Sequence, residues 1–224
     1  MKLIQVLVFF LVLVLMPLWT HADEIKCIAG DCVTGNGIKA YPNGSQFVGE
    51  FKDGLYHGKG VFTFANGSKY IGQFSNGKYH GQGTFSFANG AVYKGQYDNN
   101  KMHGQGSFTY TDGSFYKGGF VNGKRRGRGT YTHFDGSVYS GDFKNGKYDG
   151  SGTYEYATGE NYKGSFKAGR IHGQGIFIYS DGSKYVGQFR DGKRNGMGVY
   201  SRADGTVITG EFANGRYIEK ADGQ

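Results

Sequence analysis

A period of 23 residues constrains the fold of this chain more than any other feature. Tyrosines recur at that interval without insertion, and Phe47 and Ile208 extend the series by one step at each end. The tyrosines are Tyr70, Tyr93, Tyr116, Tyr139, Tyr162 and Tyr185. A period of about 20 to 50 residues is typical of solenoids, propellers and arrays. We therefore divide residues 47–207 into seven full copies of one unit and count positions from the tyrosine as position 1.

Each copy has the pattern of two β-strands. In the second copy Tyr70, Gly72 and Phe74 occupy alternate positions, which places them on one face of a strand. We expect the other face to be polar. The second half of the copy repeats the alternation with Gly81, Gly83, Phe85 and Phe87.

Tight turns separate these strands. Asn-Gly or Asp-Gly pairs recur at positions 7–8 and 20–21, as in Asn76-Gly77 and Asn89-Gly90. They are the strongest short-range signal for a hairpin, because both residues tolerate positive φ. The sequence thus predicts an all-β fold, an elongated single-layer antiparallel β-meander solenoid of 23-residue hairpin repeats.

Glycine within a strand lowers stability and needs a reason. Positions 3, 12 and 14, represented by Gly72, Gly81 and Gly83, are expected on the same face as the rings. We interpret all three as sockets in which the absence of a side chain lets an aromatic ring lie flat over the backbone.

The pattern Tyr-x-Gly-x-Phe-x-x-Gly-x-x-x-Gly-x-Gly resembles the MORN repeat, the membrane occupation and recognition nexus, over residues 47–217. The resemblance implies a single-layered, elongated, twisted antiparallel sheet without catalytic residues of its own. Members of the family act as scaffolds, dimerise, and have been linked to membranes and acidic phospholipids. A copy of the repeat behind a signal peptide is similar to the bacterial envelope proteins of this family.

The first 22 residues have the layout of a secretory signal peptide. Lys2 precedes an apolar run from Leu3 to Trp19, and small residues precede a cleavage site ahead of Asp23. The alternative is a retained membrane anchor, for which the run is at the lower length limit. We expect a secreted, periplasmic or cell-envelope protein.

The ends of the array depart from the template. Residues 23–46 form a degenerate half repeat, or cap, in which Cys27 and Cys32 are expected to form a disulfide between the two arms of the first hairpin. A free thiol pair or half of a metal site are the alternatives, although two ligands are too few for zinc. A truncated eighth copy extends the array to residue 217, and residues 218–224 form a tail.

Candidate catalytic or metal-binding groups are scattered. His57, His80, His103 and His172 all occupy position 11, but equivalent positions lie about 10 Å apart in a sheet, too far to share one ion. Acidic residues gather in the fifth copy as Asp142, Asp149, Glu155 and Glu160, where a solvated face explains them better than acid–base or calcium chemistry. We expect no enzyme activity, metal or cofactor.

A basic column at position 9 is the feature most open to a functional interpretation. It comprises Lys78, Lys101, Lys124, Lys147, Arg170, Lys193 and Arg216. In the fourth copy it broadens into a cluster of Lys117, Lys124, Arg125, Arg126 and Arg128. These residues are the candidate site for an anionic partner. The alternative is that a hairpin turn simply needs a soluble residue.

The sequence therefore predicts a non-catalytic scaffold that associates with a protein, an anionic membrane surface, or both. Homodimerisation through the sheet ends is a further expectation, and nucleic acid is not expected as a partner. The alternative function is a glycan or cell-wall polysaccharide binding module that uses the aromatic face.

Overall fold

The computed structural model describes residues 24–219, which form a single antiparallel sheet of 18 strands. The signal peptide predicted at residues 1–22 lies outside the described residues. Within residues 24–219 no helix is long and apolar enough to cross a membrane. The strands are β1 Lys26–Gly30, β2 Gly35–Ala40, β3 Gln46–Lys52, β4 Leu55–Thr63, β5 Lys69–Ser75, β6 Lys78–Ser86, β7 Val92–Asp98, β8 Lys101–Thr109, β9 Phe115–Val121, β10 Lys124–Thr132, β11 Val138–Lys144, β12 Lys147–Glu155, β13 Asn161–Lys167, β14 Arg170–Ile178, β15 Lys184–Arg190, β16 Lys193–Ser201, β17 Val207–Ala213 and β18 Arg216–Tyr217.

Consecutive strands pair along the whole sheet, so the chain is an open meander. In each full copy a strand of seven residues is followed by one of nine, as in β5 and β6. The predicted all-β meander of hairpin repeats is confirmed.

A buried aromatic ring lies at the centre of each full copy, a phenylalanine in the first copy and a tyrosine in the other six. The ring of Tyr70 covers Gly72 of β5 and Gly83 of β6, and a Cβ atom at either glycine would overlap the tyrosine. The Tyr70 hydroxyl donates a hydrogen bond of 2.9 Å to the Gln73 carbonyl. The ring of Tyr79 stacks above it with the centroids 3.9 Å apart. The prediction that glycines at positions 3 and 14 are ring sockets is therefore confirmed.

The glycine at position 12 lies in a β-bulge and not under an aromatic ring, so its interpretation as a ring socket was wrong. Gly81 has φ of +59° within a β-bulge of the β5–β6 pair. The Oε1 atom of Gln73 occupies the space beside it and accepts a 2.8 Å hydrogen bond from the Gln82 N–H. Glycine is needed here because the bulge demands a left-handed backbone.

The two classes of turn also differ. At positions 7–8 both residues have positive φ, 49° for Asn76 and 76° for Gly77, as a type I′ turn requires. At positions 20–21 only the glycine does, and the Asn89 side chain instead accepts a hydrogen bond from the Ala91 N–H at 3.1 Å. Positive φ at both residues of the pair is thus a property of the first class alone.

Sequence reasoning missed a buried serine that follows most of these second turns. The Oγ atom of Ser137 accepts a 3.0 Å hydrogen bond from the N–H of Ala157, one repeat further along. The same type of bond joins Ser45 to Ala65 and Ser68 to Ala88. The signal was the recurrent Asn-Gly-Ser or Asp-Gly-Ser triplet, whose serine links successive turns.

We call the face opposite the rings the outer face. It was expected to be polar, and this is wrong at both ends of the sheet. Near the amino-terminal end Val48 and Ile71 are 41% and 49% exposed, and near the carboxy-terminal end Val186 and Met197 are 40% and 60% exposed.

The first hairpin is held by a disulfide between Cys27 and Cys32. Cys27 lies in β1, but Cys32 lies in the turn before β2, so the bond joins a strand to its turn rather than two arms of a hairpin. The Cys32 sulfur is buried against Gly37. It covers a glycine at position 14, the position that a phenylalanine or tyrosine ring covers in the full copies.

Ala168 offers a test of the turn geometry. It has φ of +52° at position 7, where the other full copies have Asn or Asp. A left-handed conformation is less unfavourable for Asn than for Ala, so Ala168→Asn is expected to raise the free energy of unfolding by about 0.5–1 kcal/mol. Urea denaturation followed by circular dichroism measures this.

The matched control is Ala203→Asn, an exposed turn alanine outside the set with positive φ. We expect it to leave the free energy of unfolding unchanged. Equal gains at both alanines would contradict a conformational origin.

Candidate functional site

The basic column lies along one long edge of the sheet. Each of its members is the first residue of an even-numbered strand, from β6 to β18, and each is exposed. This edge also contains the type I′ turns, and we call it the turn edge. The column precedes the ring-face residue of position 10, so by strand alternation its side chains leave from the outer face.

Three successive hairpins double the column in a way that sequence reasoning missed. Position 6 lies directly across the turn from position 9 and is basic in copies five to seven. The opposed pairs are Lys144 with Lys147, Lys167 with Arg170, and Arg190 with Lys193. Like charges directly opposite one another destabilise a sheet. Among these six cations, only Arg170 forms a salt bridge in the described part of the chain, to Asp191 at 3.6 Å with both side chains well exposed.

The fourth-copy cluster does not form one patch. Lys124 lies on the turn edge, whereas Arg125 packs on the ring face. Lys117 and Arg128 line a shallow depression on the outer face, and Arg126 is exposed near the bulge. Arg128 forms a 3.1 Å salt bridge with Asp142 across the β10–β11 pair. The structure therefore brings together Lys117 and Arg128, and separately Lys124 with the column.

Arg125 has a packing role. It occupies position 10, where the second copy has Tyr79, and its guanidinium lies 4.8 Å from the Tyr131 ring centroid and 5.6 Å from that of Tyr116. One of its nitrogens donates a 2.6 Å hydrogen bond to the Gly146 carbonyl. Arg194 repeats the arrangement three copies later. Neither side chain is free to meet a partner at the outer face.

Burial dominates the electrostatics of the ring face. It raises the pKa of Tyr116 to about 12, against which the nearby Arg125 charge acts in the lowering direction. Burial likewise lowers the pKa of His133, which stands at position 18 where most copies have Tyr or Phe. The Nε2 atom of His133 is 2.8 Å from the Tyr148 hydroxyl.

The acids and histidines make separate local contacts and do not converge on one site. Asp142 accepts from the Ser151 N–H at 3.0 Å, and Asp149 accepts from the Ala168 N–H at 3.1 Å. His80 is 3.6 Å from a carboxylate oxygen of Asp98. Residues 24–219 contain no group of three or more metal-ligand side chains.

A MORN repeat model matches the chain at residues 47–69, 70–92, 93–115, 116–138, 139–160, 162–184 and 185–207. The chain belongs to the MORN repeat family. The matches agree with the seven copies deduced from the tyrosine period, and their shared residues are those that build the ring face.

Solved structures similar to this chain include domains of SAS-4 and CPAP. The TCP domain of SAS-4 from Drosophila melanogaster, in complex with a proline-rich motif of Ana2, is 12% identical with a TM-score of 0.40, covering 84% of this chain and 90% of that one. The TCP10 domain of CPAP from Danio rerio, in complex with a STIL peptide, is 15% identical with a TM-score of 0.36, covering 84% and 99%. A comparison with curated protein sequences gives no significant match.

The ring face of this MORN array offers little open aromatic surface at its centre. The position 1 tyrosines are 0% exposed, and Phe74 and Phe120 at position 5 are 3% exposed. The half-buried rings that remain, such as Phe85 and Phe87, pack against the central rows and against each other. A glycan site built on the central rings therefore loses its contact surface.

Substitutions at Arg125 test whether its side chain stabilises the fold or serves only as a surface charge. Arg125→Ala removes the guanidinium contacts and the hydrogen bond to Gly146, so we expect a loss of about 2–3 kcal/mol in the free energy of unfolding. Arg125→Tyr should recover most of this, because Tyr79 fills the same position in the second copy. Urea denaturation measures both variants. Lys124→Ala is the exposed control, and an alanine variant at position 125 as stable as the parent would refute the role.

His133 predicts a pH dependence of stability. Its pKa is lower in the folded protein than the ordinary value of about 6.5 in the unfolded chain, so the unfolded state binds more protons as the pH falls through that value. The folded state should therefore lose stability at acid pH. In His133→Phe this contribution is absent, so its stability relative to the parent should rise between pH 7.5 and 5.5. Urea midpoints at both values test this, and a constant difference would show that the histidine is not responsible.

Proposed function

We propose that this MORN protein is a non-catalytic scaffold of the cell envelope or secreted space that uses its turn edge to associate with an anionic membrane surface. The doubled basic column of copies five to seven is the observation that supports this function. Six cations lie there as three pairs of residues that face each other across a turn. A pair of one basic and one acidic residue would stabilise the sheet better. An anionic surface compensates for that repulsion.

The dimensions of the edge suit an extended anionic surface. Equivalent turns recur every second strand, about 10 Å apart, so three hairpins place six charges along roughly 20 Å. Each Lys or Arg near an anionic leaflet contributes about 1 kcal/mol within a Debye length of about 8 Å. The row therefore supplies several kcal/mol without insertion into the lipid.

The proposed location in the cell envelope or secreted space rests on two features. The first 22 residues have the layout of a signal peptide. The Cys27–Cys32 disulfide is of the kind that persists in oxidising compartments. Neither feature depends on the turn edge, so placement and membrane association can fail separately.

The sharpest variant combines Lys144→Glu, Lys167→Glu and Arg190→Glu. It turns three repulsive pairs into attractive ones, so the sheet should be at least as stable as the parent. At the same time it cancels the charge of the doubled column. We expect co-sedimentation with vesicles of mixed phosphatidylcholine and phosphatidylglycerol to be lost, and binding of the parent to weaken as salt rises.

The matched control applies the same change of charge away from this edge, with Lys26→Glu, Lys69→Glu and Lys184→Glu. It should retain most of the binding. Equal loss in both triple variants would attribute the binding to net charge alone and would overturn a specific role for the turn edge.

A further inference from the structure

A single row of residues crosses the outer face from β2 to β17. It consists of positions 2 and 15 of successive copies, and each member is the direct cross-strand partner of the next. We call it the outer row. In order it reads Ile38, Val48, Val61, Ile71, Thr84, Lys94, Ser107, Lys117, Thr130, Ser140, Thr153, Lys163, Ile176, Val186, Val199 and Thr209.

The outer row has three parts of distinct chemistry. Its first four residues are Val or Ile, its middle eight are Thr, Ser or Lys, and Ile176, Val186 and Val199 follow. Val48 and Ile71 at one end are 41% and 49% exposed. At the other end Val186 and Val199 are 40% and 36% exposed, and Met197 beside them is 60% exposed. Two exposed apolar patches thus flank a basic centre.

The lysines of the centre are available to an acidic partner. Lys94, Lys117 and Lys163 are exposed, and within residues 24–219 none of them is in a salt bridge. Their cross-strand neighbours are mainly small hydroxyl residues, which form the floor of a depression around Lys117 and Lys163. Arg128 in the same depression is already paired with Asp142, so the three lysines provide the unpaired charge.

We propose that the outer row is the docking surface for one extended polypeptide segment with an acidic middle and aliphatic residues on both sides of it. Fifteen strand spacings make the row about 72 Å long, which an extended chain of roughly 22 residues spans. Carboxylates in the middle of the segment meet Lys94, Lys117 and Lys163. Its aliphatic residues cover the apolar patches, the kind of surface that marks interaction sites.

Two other occupants fit less well. A second copy docked face to face through a two-fold axis at the centre of the row would bring the two basic centres together, and neither row has an acidic residue to offset their charge. A lipid surface favours protruding aromatic anchors, whereas the apolar residues of the row are short β-branched side chains. Phe115, 37% exposed, lies on this face outside the row.

The test uses a fluorescein-labelled synthetic peptide of about 22 residues, matched to the length of the row. It has Asp and Glu in the middle, Val and Ile in both outer thirds, and Ser as spacer. One comparison peptide has Lys in place of the acids, and another has Ser in place of Val and Ile. Fluorescence polarisation should show saturable binding of the first peptide alone, weakening with salt.

Two variants of the protein identify the surface. Lys94→Glu, Lys117→Glu and Lys163→Glu together should weaken binding by roughly tenfold or more, since they remove three exposed ion pairs and place like charges against the acidic middle of the peptide. Ile71→Ser with Val186→Ser should weaken it while leaving the salt dependence unchanged. These side chains are exposed, so the fold should tolerate both sets.

The turn-edge variant with Lys144→Glu, Lys167→Glu and Arg190→Glu is the control and should bind the peptide as the parent does. Failure of membrane association and failure of this inference are therefore distinguishable. The inference is overturned by absence of peptide binding or by binding that the outer-row variants leave unchanged. It is also overturned by vesicle binding that only the outer-row lysines support, or by a dimer that Val186→Ser dissociates.

Discussion

The contact between a tyrosine ring and two glycines supports the rest of this single-layer sheet. Tyr70 covers Gly72 and Gly83 on adjacent strands, so one ring fixes the register of its hairpin. The same ring meets Tyr97 of the next copy edge-on at 5.1 Å. Each tyrosine thus joins its own hairpin to the following one, and a row of such contacts forms a core without a second layer of secondary structure.

Position 10 shows how much freedom this core allows. The residue above the tyrosine is Tyr79 in one copy, Met102 in another and Arg125 in a third. A guanidinium can replace a phenol ring because it is planar and lies favourably over aromatic faces. Two arginines of the array, Arg125 and Arg194, are used in this way, so the surface of the protein is less basic than its composition suggests.

The fold could be predicted because its determinants are periodic, whereas much of the site depends on pairing across strands. The tyrosine period and the Asn-Gly turns indicated the hairpin meander directly. Gly81 could not be recognised as a bulge residue, since alternation alone places it on the ring face and only the register shift explains its φ. The cross-strand pairing of Lys144 with Lys147 was missed for the same reason, because positions were counted along the chain and not across strands.

The composition of the outer face does not follow from the needs of the fold. Val and Ile favour strands, but so does Thr, which fills equivalent row positions as Thr84, Thr130 and Thr153. Propensity therefore explains β-branched residues throughout the row but not the concentration of Val and Ile at its two ends. The contacts of the ring face build each copy in the same way, whichever residues occupy the outer face. The difference between the ends and the centre of the row is thus a property of the surface, and a partner that contacts all three parts at once accounts for it.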